Sequence, residues 1–442
     1  MTESGIALAR LVVVVASLSA SQAAPVPAAT CHEWHECQRL ALEAYTRADY
    51  ELFHDLAWRT VQTGPARNAE LMYLLARAQS LSGRPHDALV MLGRLAEQGF
   101  VSDAATNDDF RAVRQLRQWP ELEAVITTGA RPAAPSAPTP SAPVNSPPEV
   151  SAPAVALPRR IEDALRATGV AFGAAGLAYD RVSSRFVVAD VGLRKLVIID
   201  ERSGHFVDLV TSASAGFYDI TGLEIDPVRG DLWVVSAEPA APGADRSPAS
   251  ALHKLQLVSG RPLEQITVPV DLQPCRLHDV AVTRDGGVLV LDASGNRVLR
   301  LRSGSHTFTP VATLHVQGST SLAAAGDRIV YVAHASGVTR LDTVTGAVEA
   351  LASAPDVPLG GFERIRWVRG SLVGIQRAPD GGLRAVRVKI ENGRATVMEI
   401  LDGGITATDH PVATVSGDEF YLLVHQADGN ANDVVIRRSL VR

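Results

Sequence analysis

Over the C-terminal two-thirds of the chain, apolar and polar positions repeat one pattern. A small or polar residue precedes a short apolar strand, a Gly/Asp turn follows, and a second apolar strand ends in a polar residue before a third begins. The clearest copies are GLAYDRVSSRFVVAD (Gly176–Asp190), GLEIDPVRGDLWVVS (Gly222–Ser236), DVAVTRDGGVLVLD (Asp279–Asp292) and SLAAAGDRIVYVAH (Ser321–His334). Weaker copies run from Arg364 to Gln376 and from Pro411 to His425, which makes six. A period of roughly 40 to 50 residues with about four strands per unit predicts a β-propeller, each unit one radial blade. Turns such as Asp226–Gly230 and Arg284–Gly287 carry the Gly and Asp that tight hairpins require.

From Cys31 to Thr127 the apolar spacing changes to three and four, as in Leu52, Phe53, Leu56 and Ala57, and predicts helices. In the segment Ala69–Phe100, Gly83-Arg84-Pro85 separates two helices, with Ala76 and Ala88 twelve positions apart and Leu89, Leu92 and Leu95 along the second. Gln38 to Thr63 reads as a degenerate companion and Asp109 to Ile126 as a short closing helix. The segment from Ala69 resembles a tetratricopeptide unit, whose small residues let paired helices approach closely; a generic helical bundle accounts for the same spacing. Arg131 to Pro158 is Pro, Ala and Ser without periodicity and reads as an extended spacer. Ile161 to Ala167 reads as a short helix or as the strand that closes the ring against the last blade.

The apolar run Leu11–Ala20 follows Arg10 and ends at Ser21-Gln22-Ala23, the form of a secretory signal cleaved near Ala23, with a retained anchor as the alternative. The domains are then 1–23 signal peptide, 31–128 tetratricopeptide-like helical domain, 129–158 Pro/Ala/Ser-rich linker and 159–442 six-bladed propeller. An exported protein, periplasmic or secreted, follows, with no stable membrane span after cleavage. The 42 Lys and Arg against 48 Asp and Glu leave a net charge of −6 with no basic strip, which argues against a nucleic-acid partner. Of the three cysteines, Cys31 and Cys37 pair in a disulfide, remain thiols or bind a metal with the two His between them, and Cys275 is left over.

The blade phrases Gly222-Leu-Glu-Ile-Asp-Pro through Gly230-Asp-Leu-Trp-Val-Val, and Asp279-Val-Ala-Val through Asp292-Ala-Ser-Gly-Asn-Arg-Val, resemble the NHL and gluconolactonase-like (regucalcin, or senescence marker protein) six-bladed propellers. The resemblance covers roughly 171–442 and implies a site on the axis, where the gluconolactonase-like enzymes hold one divalent metal ion with Glu, Asn and Asp side chains placed just before the inner strands. That position falls here on Ala175, Thr221, His278, Thr320, Glu363 and His410. The family's first-blade Glu-Gly-Pro-x-Trp is missing, with Ala175 in place of its acid, and a partial echo stands at Glu363-Arg-Ile-Arg-Trp367. His278, Glu363 and His410 would suit a transition ion better than Ca²⁺. Asp219, Asp279 and Asp409 would orient their rings, and Asp219, Thr221, Asp279, Thr320 and Asp409 are candidate ligand contacts in the channel. Polar residues in a wet propeller channel also serve simply to cap strand ends. A second ring, Asp190, Ser236, Asp292, His334, Gln376 and His425, reads as residues that hydrogen-bond the blade turns.

No Gly-x-Ser-x-Gly elbow, His-Glu-x-x-His pair or phosphate loop occurs. Two functions follow from the same residues. The first is an exported, non-enzymatic interaction protein whose helical module docks a protein partner while the propeller presents a face to a protein, small molecule or saccharide. The second is a metal-dependent hydrolase of lactones or esters acting on the propeller axis.

Overall fold

The computed structural model describes residues 31–65, 67–128, 161–167, 173–201, 204–239, 248–405, 411–425 and 434–441. The signal segment, the whole Pro-rich stretch, Asp409 and His410 lie outside them. Six antiparallel sheets form the propeller. The inner strands of blades 1 to 6 are Ala174–Asp180, Asp219–Ile225, Leu277–Val282, Ser321–Ala324, Phe362–Val368 and Val412–Ser416. In blades 1 to 5 the next strands follow outward in chain order, and a short parallel strand, Ala352–Ser353, adds to the edge of blade 5. Second strands such as Arg185–Asp190, Asp231–Ala237 and Val288–Asp292 are buried along their whole length, because blades cover both of their faces.

Blade 6 takes its outer strand from the other end of the propeller sequence: Glu162–Ala167 pairs antiparallel with Val434–Leu440. Ile161–Ala167 is therefore the closing strand and not a helix. The two ends of the propeller sequence are joined within one sheet, which closes the ring of blades.

The helical region comprises α1 (Trp34–Thr46), α2 (Tyr50–Thr63), α3 (Ala69–Leu81), α4 (Pro85–Glu97), α5 (Arg111–Arg114) and α6 (Trp119–Thr128). Asp49 and Asn68 cap α2 and α3 by accepting from the backbone N–H of Leu52 and Leu71. Pro85 opens α4, where its missing N–H costs nothing. Ala76 and Ala88 are fully buried. The span 109–126 is not one helix: a 3₁₀ turn, α5 and α6 divide it, and Pro120 sets the new start at Trp119 because it cannot continue a preceding helix. Among the described residues no helix is long and apolar enough to cross a membrane.

Cys31 and Cys37 form a disulfide across the start of α1, and Cys275 is a buried free thiol. The loop they close is short, so reduction is expected to remove about 2 kcal/mol of local stability. Faster amide exchange in α1 after treatment with dithiothreitol, with the propeller unchanged, is the expected readout.

The helices do not stand apart from the propeller. They dock on the turns that follow the inner strands of blades 1 and 2 and on the turn after the third strand of blade 2. The Arg94 guanidinium donates to the Ser183 carbonyl in blade 1, and Asp87 accepts from the Ser259 N–H in blade 2 at 3.0 Å. Trp58 of α2, only 2% exposed, lies on the blade 2 turn at Gly230. Gly230 has φ +68°, and a Cβ there would come within 2.7 Å of the indole. Only glycine suits both the left-handed backbone and this approach.

Candidate functional site

The start of the inner strand is irregular in four of the blades. Ladder register shifts between Ala174 and Gly176, Ile220 and Gly222, Leu277 and Asp279, and Phe362 and Arg364. The extra residues are Ala175, Thr221, His278 and Glu363, four of the positions that the sequence places before the inner strands. A bulge turns such a residue out of the ladder and releases its backbone groups from strand pairing. At this level threonine hydroxyls bridge neighbouring blades. The Thr221 hydroxyl donates to the Leu277 carbonyl at 3.0 Å, and the Thr320 hydroxyl donates to the Phe362 carbonyl at 2.7 Å, each tying one blade to the next.

At mid-depth the channel is crossed by side chains the sequence reading did not single out. From blade 5, Arg364 donates to Asp279 Oδ1 in blade 3 at 3.0 Å and to the carbonyls of Ala175 in blade 1 and Thr221 in blade 2 at 3.2 and 3.4 Å. Two residues on, Arg366 donates to Asp279 Oδ2 at 3.2 Å, and its Nε lies 3.3 Å from Glu224 Oε2 in blade 2. Asp279 is fully buried and also accepts from the Ser321 hydroxyl and the Leu322 N–H. Although burial opposes ionisation, Arg366 and Arg364 hold its carboxyl down at about 2. Two guanidiniums and two carboxyls thus meet in one buried network that plugs the channel.

The plug bears on the cation that the resemblance implies. Arg364 already engages two of the bulge carbonyls and Asp279, so a positive charge belonging to the chain sits among those oxygens. His278 stands beside it, with its ring pushed below the usual imidazole range by burial and by Arg364, and its buried Nδ1 makes no hydrogen bond. Glu363 turns to Arg377 in its own blade, and Asp219 pairs with Arg194 at 2.9 Å. Asp279 lies on the axis, as a ligand to arginine. Among the described residues no three His, Cys, Asp or Glu side chains gather around a common point.

The second ring holds turns. Asp190 accepts from the N–H groups of Gly192 and Leu193, Asp292 from those of Arg276, Ser294 and Gly295, and Gln376 donates to the carbonyls of Pro358 and Gly360. Ser236 and His334 bond to His253 and Thr339 in the adjoining strands.

Below the plug, on the side the helices cover, the channel widens into a cavity of about 400 Å³ lined by all six blades and by Trp58 and Gln62 of α2. Its wall is largely apolar, with Ala178, Ala281 and Ala323 on the inner strands and Trp367 and Tyr179 nearby. Trp367 is held in place by stacking on Tyr331, with centroids 5.2 Å apart. Glu224 is the group that gives this cavity chemistry. Its side chain keeps 22% of its surface open, Arg366 is its one ionic partner, and among the described residues no donor hydrogen-bonds its oxygens. Burial pushes its carboxyl up to about 7, against the pull of Arg366.

The sequence carried one signal for the plug. Arg364 and Arg366 alternate with Ile365 and Trp367 in a strand otherwise fit for the interior, and arginine is rarely buried without a partner. The cap residue Trp58 had no such signal, since an apolar stripe on a helix does not say which surface covers it.

No family model and no curated protein sequence matches the chain. Among solved structures it is similar to a gluconolactonase from Xanthomonas campestris, at 16% identity over 62% of this chain and 87% of that one, TM-score 0.44. It is also similar to the PQQ-bound aldose sugar dehydrogenase of Streptomyces coelicolor, at 12% identity over 63% and 99% of the two chains, TM-score 0.42. A third is virginiamycin B lyase from Staphylococcus aureus, at 12% identity over 62% and 98%, TM-score 0.42. Identities this low carry no chemistry from those proteins to this one.

Proposed function

We propose that this chain is an exported binding protein that holds an uncharged, hydroxyl-bearing small molecule in the axial cavity beneath its helices. The observation that carries the reading is Glu224, a carboxyl group lining a mainly apolar cavity, paired with Arg366 and, among the described residues, with no hydrogen bond to its oxygens. A few placed polar groups within an apolar cleft are what small-molecule sites present. In the plug Asp279 offsets one of the two arginines and Glu224 draws on the other, so at most one positive charge is left at the cavity to attract an ion. Indole faces at Trp58 and Trp367 would cover the apolar side of the ligand while Glu224 accepts from its hydroxyls.

In this reading the helical module serves the propeller first, as a cap, and any protein partner would meet the surfaces of the helices that face away from it. The hydrolase reading draws less support, because Glu363 is engaged by Arg377 and the axial oxygens by Arg364.

Thermal-shift screening of the full chain against monosaccharides, polyols, amines and carboxylates tests the proposal. Neutral hydroxylated compounds are expected to raise the melting temperature, and Glu224→Met to abolish the rise. A response confined to amines or carboxylates, or one untouched by Glu224→Met, would count against it.

A further inference from the structure

One contact that holds the cap is a buried carboxyl group without an ion-pair partner among the described residues. Asp87 lies in the first turn of α4, is 2% exposed, and takes its hydrogen bonds from Ser259 in the turn between the third and outer strands of blade 2. Among the described residues no cation comes within ion-pairing distance of it.

The charged groups around it are committed elsewhere. On α2, buried His54 faces Asp87 and bonds to its neighbour Asp55 at 3.4 Å. On α4 itself, Arg84 pairs with Glu51 and Arg94 donates to the Ser183 carbonyl, while burial and Arg261 push His86 below the usual imidazole range. In the propeller, Arg185 is bound to Asp180 and to the carbonyls of Leu257 and Val258, and Asp231 is paired with Lys254. An ionised Asp87 is therefore a buried charge with hydrogen bonds from one residue, which is costly. A protonated Asp87 still accepts from Ser259 through its carbonyl oxygen and carries no such cost.

We propose that Asp87 makes the helical cap a pH-responsive lid over the axial cavity, clamped when the carboxyl is protonated and loosened when it ionises. The lid's purpose rests on reading the cavity as a ligand site; its pH response does not. Burial pushes the docked carboxyl up to about 6 from an ordinary value of 3.8, so docking takes up a proton in the window between them. A group raised in this way favours the docked form as pH falls through about 6 and withdraws that support as pH rises above it. Trp58, which covers the cavity, sits on α2 with His54 and moves with the same cap. A ligand would be retained in mildly acidic surroundings and exchanged in neutral ones.

Hydrogen–deuterium exchange of the full chain without ligand, at pH 5 and pH 8 and corrected for intrinsic rates, reads the lid. Peptides from α2 and α4 are expected to be protected roughly tenfold more at pH 5, and Asp87→Asn, which keeps the acceptor but cannot ionise, should erase the difference. Equal protection at the two pH values in the unaltered chain overturns the proposal whether or not the variant folds. The same difference persisting in Asp87→Asn also overturns it, and places the titrating group elsewhere, at His86 beside it or Glu224 in the cavity. Because no ligand is present, these outcomes are independent of the thermal-shift screen.

Discussion

Asp279→Ala is expected to destabilise the propeller by about 3 to 5 kcal/mol, the usual result of removing one partner from a buried ionic network. Asp279 is the point where blades 3, 4 and 5 meet: Arg364 and Arg366 grip its two oxygens, and Ser321 and Leu322 donate to it from the next blade. Without the carboxylate, two buried guanidiniums from one strand are left side by side, with Glu224 the only ionic partner of either among the described residues. Urea unfolding followed by far-ultraviolet circular dichroism measures the loss as a lower midpoint. Asp279→Asn is expected to be nearly as harmful, since it restores shape without charge. Glu363→Ala, by contrast, removes only a partly exposed pair with Arg377 and is expected to change stability by less than about 1 kcal/mol. The Asp279 contribution should persist down to mildly acidic pH. Its carboxyl is held at about 2, below the ordinary 3.8, so its support is full above 3.8 and is lost as pH falls toward 2.

Trp58→Ala is expected to cost a comparable amount, about 3 to 5 kcal/mol, but in a different place. The indole is 2% exposed and fills the space between α2 and the blade 2 turn. Its loss should detach the cap before it disturbs the blades, because the propeller is closed by its own sheet through the pairing of Glu162–Ala167 with Val434–Leu440. Separate transitions for helix and sheet signals in thermal unfolding, where the unaltered chain shows one, would be the mark of this. Gly230→Ala should act in the same direction from the other side of the contact, since its Cβ would meet the same ring.

The architecture was legible because it depends on repetition. Six copies of an alternating apolar phrase admit few arrangements, and Asp and Gly in the turns fixed where each hairpin folds back. Of the six positions before the inner strands, Ala175, Thr221, His278 and Glu363 occupy matching bulges. What those residues do was not legible. A bulge changes which side chains enter the channel, so the inward-facing groups became Arg364, Arg366 and Glu224, farther along the same strands. Whether a blade position points inward depends on register, and register depends on pairing partners that a single strand's sequence does not display. The docking of the helices was hidden for a related reason. The Pro-rich stretch between the modules reads as a spacer, yet contact between them is decided by Trp58, Asp87 and Arg94, each unremarkable in its own helix.

The most direct test places a thiol inside the cavity. Ala323→Cys puts a sulfur on the blade 4 inner strand, on a wall residue that is 1% exposed. Modification by a small methanethiosulfonate reagent should be slow in the full chain and at least about tenfold faster when Trp58→Ala is added, with buried Cys275 as the internal reference. That result would place the cavity beneath the helices and make the helices its gate. Equal rates with and without Trp58 would contradict the account.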